Sequence, residues 1–161
     1  MNSLVAPARG LVTPRGFKPA PVPKKIAFSE EDDAKKMAFE ALGDLDDIEI
    51  LFNEVLLLKY IRTHVGSFIA SPETQREDKW QGGVGLVLKV GPTAFVDDAH
   101  TKFNGVKVER GDWVSWRVSD GWPRGVQELY GEHHFADCIL VQDAHIRLRL
   151  KYPGRLMALE G

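Results

Sequence analysis

Several groups of residues in this chain have types and spacings that could do chemistry. Gly82-Gly-Val-Gly85 has the density of a phosphate-cradling loop. It leads into the apolar run Val84-Gly-Leu-Val-Leu-Lys-Val90 instead of a helix, so no helix N-terminus is available for an anion, and no G-x-x-x-x-G-K-[ST] follows. These glycines read better as a bulge or a tight corner between strands. The five histidines include an adjacent pair, His133-His134, which an extended backbone would turn to opposite sides, a poor geometry for one metal. Asp97-Asp98-Ala-His100 could hold a cation weakly, but such residues in a hairpin tip serve turn chemistry first. Cys138, the single cysteine, excludes an internal disulfide and a multi-cysteine zinc site. Lying in an apolar run, it reads as a buried thiol and not a nucleophile. Arg147, Arg149 and Lys151 could touch phosphates, but at alternate positions they read as the guarded outer edge of a sheet or a subunit contact. The expectation is therefore a non-enzyme with no catalytic residues, no cofactor and no metal.

The elements that must position these residues are mostly strands. Val55-Leu-Leu-Leu-Lys-Tyr-Ile61, Val84–Val90, Asp112-Trp-Val-Ser-Trp-Arg-Val118 and Phe135-Ala-Asp-Cys-Ile-Leu-Val141 are short apolar runs broken by Gly, Pro and Asp. In Ile146-Arg-Leu-Arg-Leu-Lys151 the apolar residues alternate, which predicts a strand with one face buried. Short strands with turn signals between them imply a small barrel or sandwich. Trp113 and Trp116 fall on opposite faces of one strand, so one should be core and the other turned to a neighbour, a lid or solvent. Trp80 and Trp122 read as loop residues, candidate interface aromatics because tryptophan is over-represented among interface anchors. With 161 residues the chain can bury a real core. No apolar run approaches the roughly 20 residues of a membrane helix, and no signal-peptide core follows Met1.

Charge is unevenly spread along the chain. Residues 1–26 carry five of the nine prolines and Arg9, Arg15, Lys18, Lys24 and Lys25 with no acid, a charge of +5. Residues 27–54 carry ten acids against Lys35 and Lys36, and the remainder is close to neutral, so the total of −2 is a cancellation. Recurrent proline forbids a helix or a central strand in the first segment, which reads as an extended arm able to lie on a partner. The acidic segment opens as a helix: Ser29 suits the N-cap, Asp32 a capping-box position, and acids fill the first turn. Ala34, Met37, Ala38, Ala41 and Leu42 make a narrow apolar stripe that predicts docking on a domain surface, and Gly43 supplies the stop. The expected organisation is a basic arm at 1–28, an acidic helix and linker at 29–52, a β-domain at 53–152 and a tail at 153–161. A slightly negative total and the lack of an interleaved aromatic-basic surface argue against nucleic acid as a partner.

From about Asn53 to Leu150 the order of parts resembles the GroES-type co-chaperonin family. The resemblance rests on Val55-Leu-Leu-Leu-Lys-Tyr, a loop with Gly66-Ser-Phe-Ile69, the strand Gly82-Gly-Val-Gly-Leu-Val-Leu-Lys-Val-Gly-Pro92 and a polar hairpin at 93–105 in place of the family's roof loop. It continues through Val106-Lys-Val-Glu-Arg-Gly-Asp-Trp-Val-Ser-Trp116 and Cys138-Ile-Leu-Val-Gln-Asp-Ala-His-Ile146. Thr74-Gln-Arg-Glu-Asp-Lys-Trp-Gln-Gly82, Ala94-Phe-Val-Asp-Asp-Ala99 and Ser119-Asp-Gly-Trp122 look more like a tailed-bacteriophage branch. The resemblance implies a mainly β fold: a GroES-like small β-barrel with an N-terminal extended arm and one short α-helix. It implies a docking loop after the first strand, here with Gly66, Phe68 and Ile69, shorter than the family's and lacking its second glycine.

Two functions follow as expectations. In one, the chain is a non-enzymatic phage structural protein whose barrel decorates or stabilises a capsid, with the arm lying along neighbouring subunits. In the other it is a phage-encoded co-chaperonin that caps a host chaperonin ring and assists folding of capsid proteins. Both expect protein partners (capsid proteins or a chaperonin ring), a homo-oligomer, no membrane, and a location in the virion or the host cytoplasm.

Overall fold

The computed structural model describes residues 31–61, 64–65, 68–69, 72–73 and 83–156. The basic arm with Arg9, Arg15, Lys18, Lys24 and Lys25, the cap residue Ser29, Gly66 and Trp80 lie outside the described residues. The described residues are mainly β, with helix α1 at Glu31–Leu42. Strands β1 (Glu54–Lys59), β4 (Val84–Val90), β5 (Trp113–Trp116), β6 (Gly121–Gln127), β7 (Phe135–Gln142) and β8 (Ile146–Leu150) form one antiparallel sheet in the order β6-β7-β1-β4-β5-β8. β2 (His64–Val65) and β3 (Phe68–Ile69) form a separate two-stranded hairpin.

The sheet is covered on both faces, which explains why β1 reads as an unbroken apolar run. On one face Leu56, Leu58, Leu86, Leu88, Trp113 and Cys138 pack against Ala34, Ala38 and Leu42 of α1 and against Leu45 and Ile50 beyond it. Ala34 and Ala38 are fully buried, and their small side chains let the helix lie close to the strands. On the other face Val55, Leu57, Val87, Val114, Trp116, Ile139 and Val141 form a second core, closed by Ala94, Phe95 and Val108. Trp113 and Trp116 are consequently both buried, one in each core, and neither faces a neighbour or solvent. The expectation that one would turn outward assumed a sheet with a single covered face.

Two connectors show that the sheet is strongly curled. Trp116 ends β5, the fifth strand across, and Gly121 begins β6, the first, after only a 3₁₀ turn at Val118–Asp120. Four strand spacings of a flat sheet would put them about 19 Å apart laterally, more than five residue steps can span at roughly 3.3–3.6 Å each. A 3₁₀ turn at Asp143–His145 likewise carries the chain from β7, second across, to β8, sixth. A Cβ on Gly121 would lie 3.4 Å from Trp116 Nε1, so the two sides of the sheet touch. The second core fills the inside of this curl. β6 and β8 nevertheless remain the two ends of the hydrogen-bonded order.

Two bulges set which residues face which core. Leu57 pairs with Val87 but Leu56 with Lys89, so Leu88 is the extra residue and Leu88 and Lys89 lie on the helix side together. At β8, Ser115 pairs with Leu148 but Trp116 with Ile146, which leaves Arg147 extra. Leu150 therefore packs toward the helix-side core, Ile146 toward the inner core, and Leu148 is half exposed. The alternation in β8 does not bury one face, as strict period two predicts, because the bulge divides it between two.

Candidate interaction surface

Glycines build the approach of Trp116. A Cβ on Gly85 would meet the Leu58 carbonyl at 2.7 Å and the Trp116 ring at 3.0 Å, and one on Gly83 would lie 2.3 Å from the Trp116 carbonyl. Gly83 and Gly85 thus serve close approach between β4 and β5, and the bulge in β4 falls at Leu88 instead. Their setting is strand and packed indole, so no anion-binding loop forms there.

The acidic residues at 97–100 are used for turn chemistry, as their types predict, although the expected hairpin at 93–105 is a series of turns and not two paired strands. The Asp97 carboxylate accepts backbone N–H groups from Thr101 (3.1 Å), Lys102 (2.9 Å), Phe103 (2.6 Å) and Asn104 (3.2 Å). These donors hold its carboxyl below the ordinary carboxylate range, the Phe103 amide most of all, against a smaller opposing effect of desolvation. The segment 93–112 forms turns with no strand ladder, and Phe95 and Phe103 meet edge to face at 5.3 Å where it closes the inner core. His133 and His134 lie in the turn between β6 and β7. No group of three or more His, Cys, Asp or Glu suited to a metal occurs among the described residues. Cys138 is buried, and burial together with the Asp137 charge pushes its thiol up to about 12.

Two residues that the sequence left unremarked organise the surface. Asp143, 3% exposed, accepts Asn53 Nδ2 (3.1 Å) and Ala144 N (2.6 Å) on one oxygen and Phe95 N (3.0 Å) on the other. It ties the start of β1, the crossing turn and the 93–105 segment together; its only sequence signal is its place inside the closing motif. Arg110 closes the end of α1: its guanidinium lies 4.4 Å from the centre of the Phe39 ring, donates to the Gly43 carbonyl (3.2 Å) and approaches Asp44 (3.8 Å). A cation at a helix C-terminus is favoured by the dipole. Leu129 N completes the closure by donating to Ala41 O at 3.0 Å.

Trp122 stands on edge strand β6 and not in a loop. Its neighbour Pro123 and the glycines at 121 and 125 hid the strand, since each is depleted in strands. The indole is 56% exposed, and the Arg124 guanidinium stacks on it at 3.3 Å from the ring centre. A stacked Trp–Arg pair is a rigid, amphipathic surface that loses little side-chain freedom when a partner covers it. Phe68 and Ile69 occupy β3 of the small hairpin, paired with Val65 and His64.

A groove of about 360 Å³ opens beside the start of β1, floored by Leu88, Val90, Ala94, Phe95 and Val108 and edged by Lys89, Lys107, Glu109 and Arg110. Lys89 Nζ donates to the carbonyls of Leu45 (2.6 Å) and Ile48, fixing the acidic loop at one end of the groove. Near it stands Phe52, 70% exposed with a φ of 53°.

No family model matches the chain, and no curated protein matches it.

Proposed function

We propose that this chain is a non-enzymatic structural subunit of a phage particle, a GroES-like barrel that decorates or stabilises a capsid through its barrel and its basic N-terminal arm. The observation that carries the reading is the Trp122–Arg124 stack, an exposed and preorganised anchor on an edge strand of a small β-domain. Tryptophan and arginine are the residue types most often found carrying interface energy. The barrel is supported by the two short crossings between strands four places apart, which a flat sheet could not accommodate. The arm brings five positive charges and five prolines in 26 residues, a composition that favours an extended segment, which supports a strap over neighbouring subunits. The test is to purify mature particles and measure whether the protein is present, then repeat with residues 1–26 deleted and with Trp122→Ala. The reading expects stoichiometric incorporation that both changes reduce. Absence from mature particles would overturn it.

The second reading, a co-chaperonin that caps a host chaperonin ring in the cytoplasm, is favoured by one observation. Phe68 and Ile69 sit together on a two-residue strand between β1 and β4, where a docking loop would be. Nucleotide-dependent co-sedimentation with a chaperonin, lost on changing Phe68 and Ile69 to Ser, would support it in place of the first.

A further inference from the structure

We propose that Phe52 anchors a two-fold contact between copies of this chain, each phenyl ring seated in the groove of the other copy. Five non-glycine residues among those described have positive φ. Leu45 and Phe95 are buried, where packing holds them, and His100 and Asn104 lie in the exposed 97–105 turns. Phe52 alone combines a left-handed backbone with a large apolar side chain held out in solvent.

The backbone at Phe52 has its own reason. Its carbonyl accepts Thr93 N at 3.0 Å and lies so close to Gly91 that a Cβ there would be 2.3 Å away. Glycine or asparagine would satisfy that turn with less strain than phenylalanine. The turn therefore explains the φ and leaves the phenyl ring unexplained, and strain of this kind points to a use for the side chain.

The groove and the anchor share a border at Gly91, which touches Phe52 on one side and lines the groove on the other. A two-fold axis near that border inserts each ring into the opposite groove, the self-complementary arrangement of an isologous interface. Charge fits the same arrangement. The loop leading to Phe52 carries Asp46, Asp47 and Glu49, all exposed, while the exposed rim of the groove carries Lys107 and Arg110 against the single acid Glu109; the Lys89 ammonium, held by the Leu45 and Ile48 carbonyls, takes no part. The apolar floor takes the ring, and the acids of each copy meet the basic edge of the other. The contact does not depend on whether the chain is a virion subunit.

The experiment is sedimentation velocity of the full chain over a concentration series, with Phe52→Gly and Lys107→Glu. The expected result is a reversible dimer that Phe52→Gly weakens at least about tenfold. Lys107→Glu should weaken it about three- to tenfold, with the wild-type contact itself weakening in salt. Thermal melting at a dilution where all forms are monomeric separates anchoring from folding: Phe52→Gly should melt at the wild-type temperature or about 2–4 °C above it. A wild-type chain still monomeric at about 1 mM, an unchanged dimer in Phe52→Gly, or a lower melting temperature for that variant would each overturn the proposal.

Discussion

Burial, with the Asp137 charge beside it, holds the Cys138 thiol protonated across the physiological range. With the folded value raised from 9.0 to about 12, the unfolded state releases its proton first as pH rises. This group therefore leaves stability intact below about pH 9 and lowers it between there and about 12. Labelling of Cys138 by a thiol reagent at pH 8 should follow global unfolding, and should accelerate with denaturant in step with it; fast labelling of native protein would contradict the burial. Asp97 works in the opposite direction. Its lowered folded value means that its amide cage contributes stability above the ordinary carboxylate range and loses it as pH falls through the folded value. Asp97→Ala should flatten the acid limb of the stability curve and speed amide exchange at Lys102 and Phe103, which hydrogen-exchange mass spectrometry can read. Both roles were legible in the residues, Cys138 from its apolar run and Asp97 from turn chemistry. The inward turn of both Trp113 and Trp116 was not, because period two says that two residues lie on opposite faces and nothing of what covers each face.

At the level of elements, a single buried carboxylate fastens three segments that share no strand. Asp143→Ala would leave the buried Phe95 amide and the Asn53 side chain without their acceptor, at a cost of about 2–3 kcal/mol, measurable by urea unfolding. Asp143→Asn keeps one acceptor and should cost less. Gly85→Ala forces a Cβ against the Leu58 carbonyl and the Trp116 ring, backbone on one side and a packed indole on the other, and should cost about 1–3 kcal/mol. The five longer strands read from apolar runs stand within two residues of their predicted ends, since each has one or two buried faces and bounding turn residues. β6 escaped because its exposed pattern and its Pro and Gly are what an edge strand tolerates and a central one does not. The division of β8 between two cores depends on a bulge, and a bulge is a relation between two strands that neither strand's sequence carries alone.

The whole molecule couples its two cores through shared strands. β1, β4, β5 and β7 each send residues to both, so the helix-side core cannot open without exposing one face of the strands that build the inner core. The N-terminal acidic stretch, which charge alone set apart from the β-domain, contributes Ala34, Ala38, Leu42, Leu45 and Ile50 to that helix-side core. One cooperative transition is therefore expected, in which the helix and the sheet unfold together. Leu88→Ala on the helix side should cost about 2–5 kcal/mol, and Val87→Ala on the inner side a smaller amount, because it removes less buried hydrocarbon. Circular dichroism at a helix-sensitive wavelength and tryptophan fluorescence from Trp113 and Trp116 should report the same midpoint in each variant, with the denaturant slope unchanged. If the helix signal were lost first in Leu88→Ala while the indoles stayed buried, the cores would be separable, and α1 would be a docked appendage instead of half of a common fold.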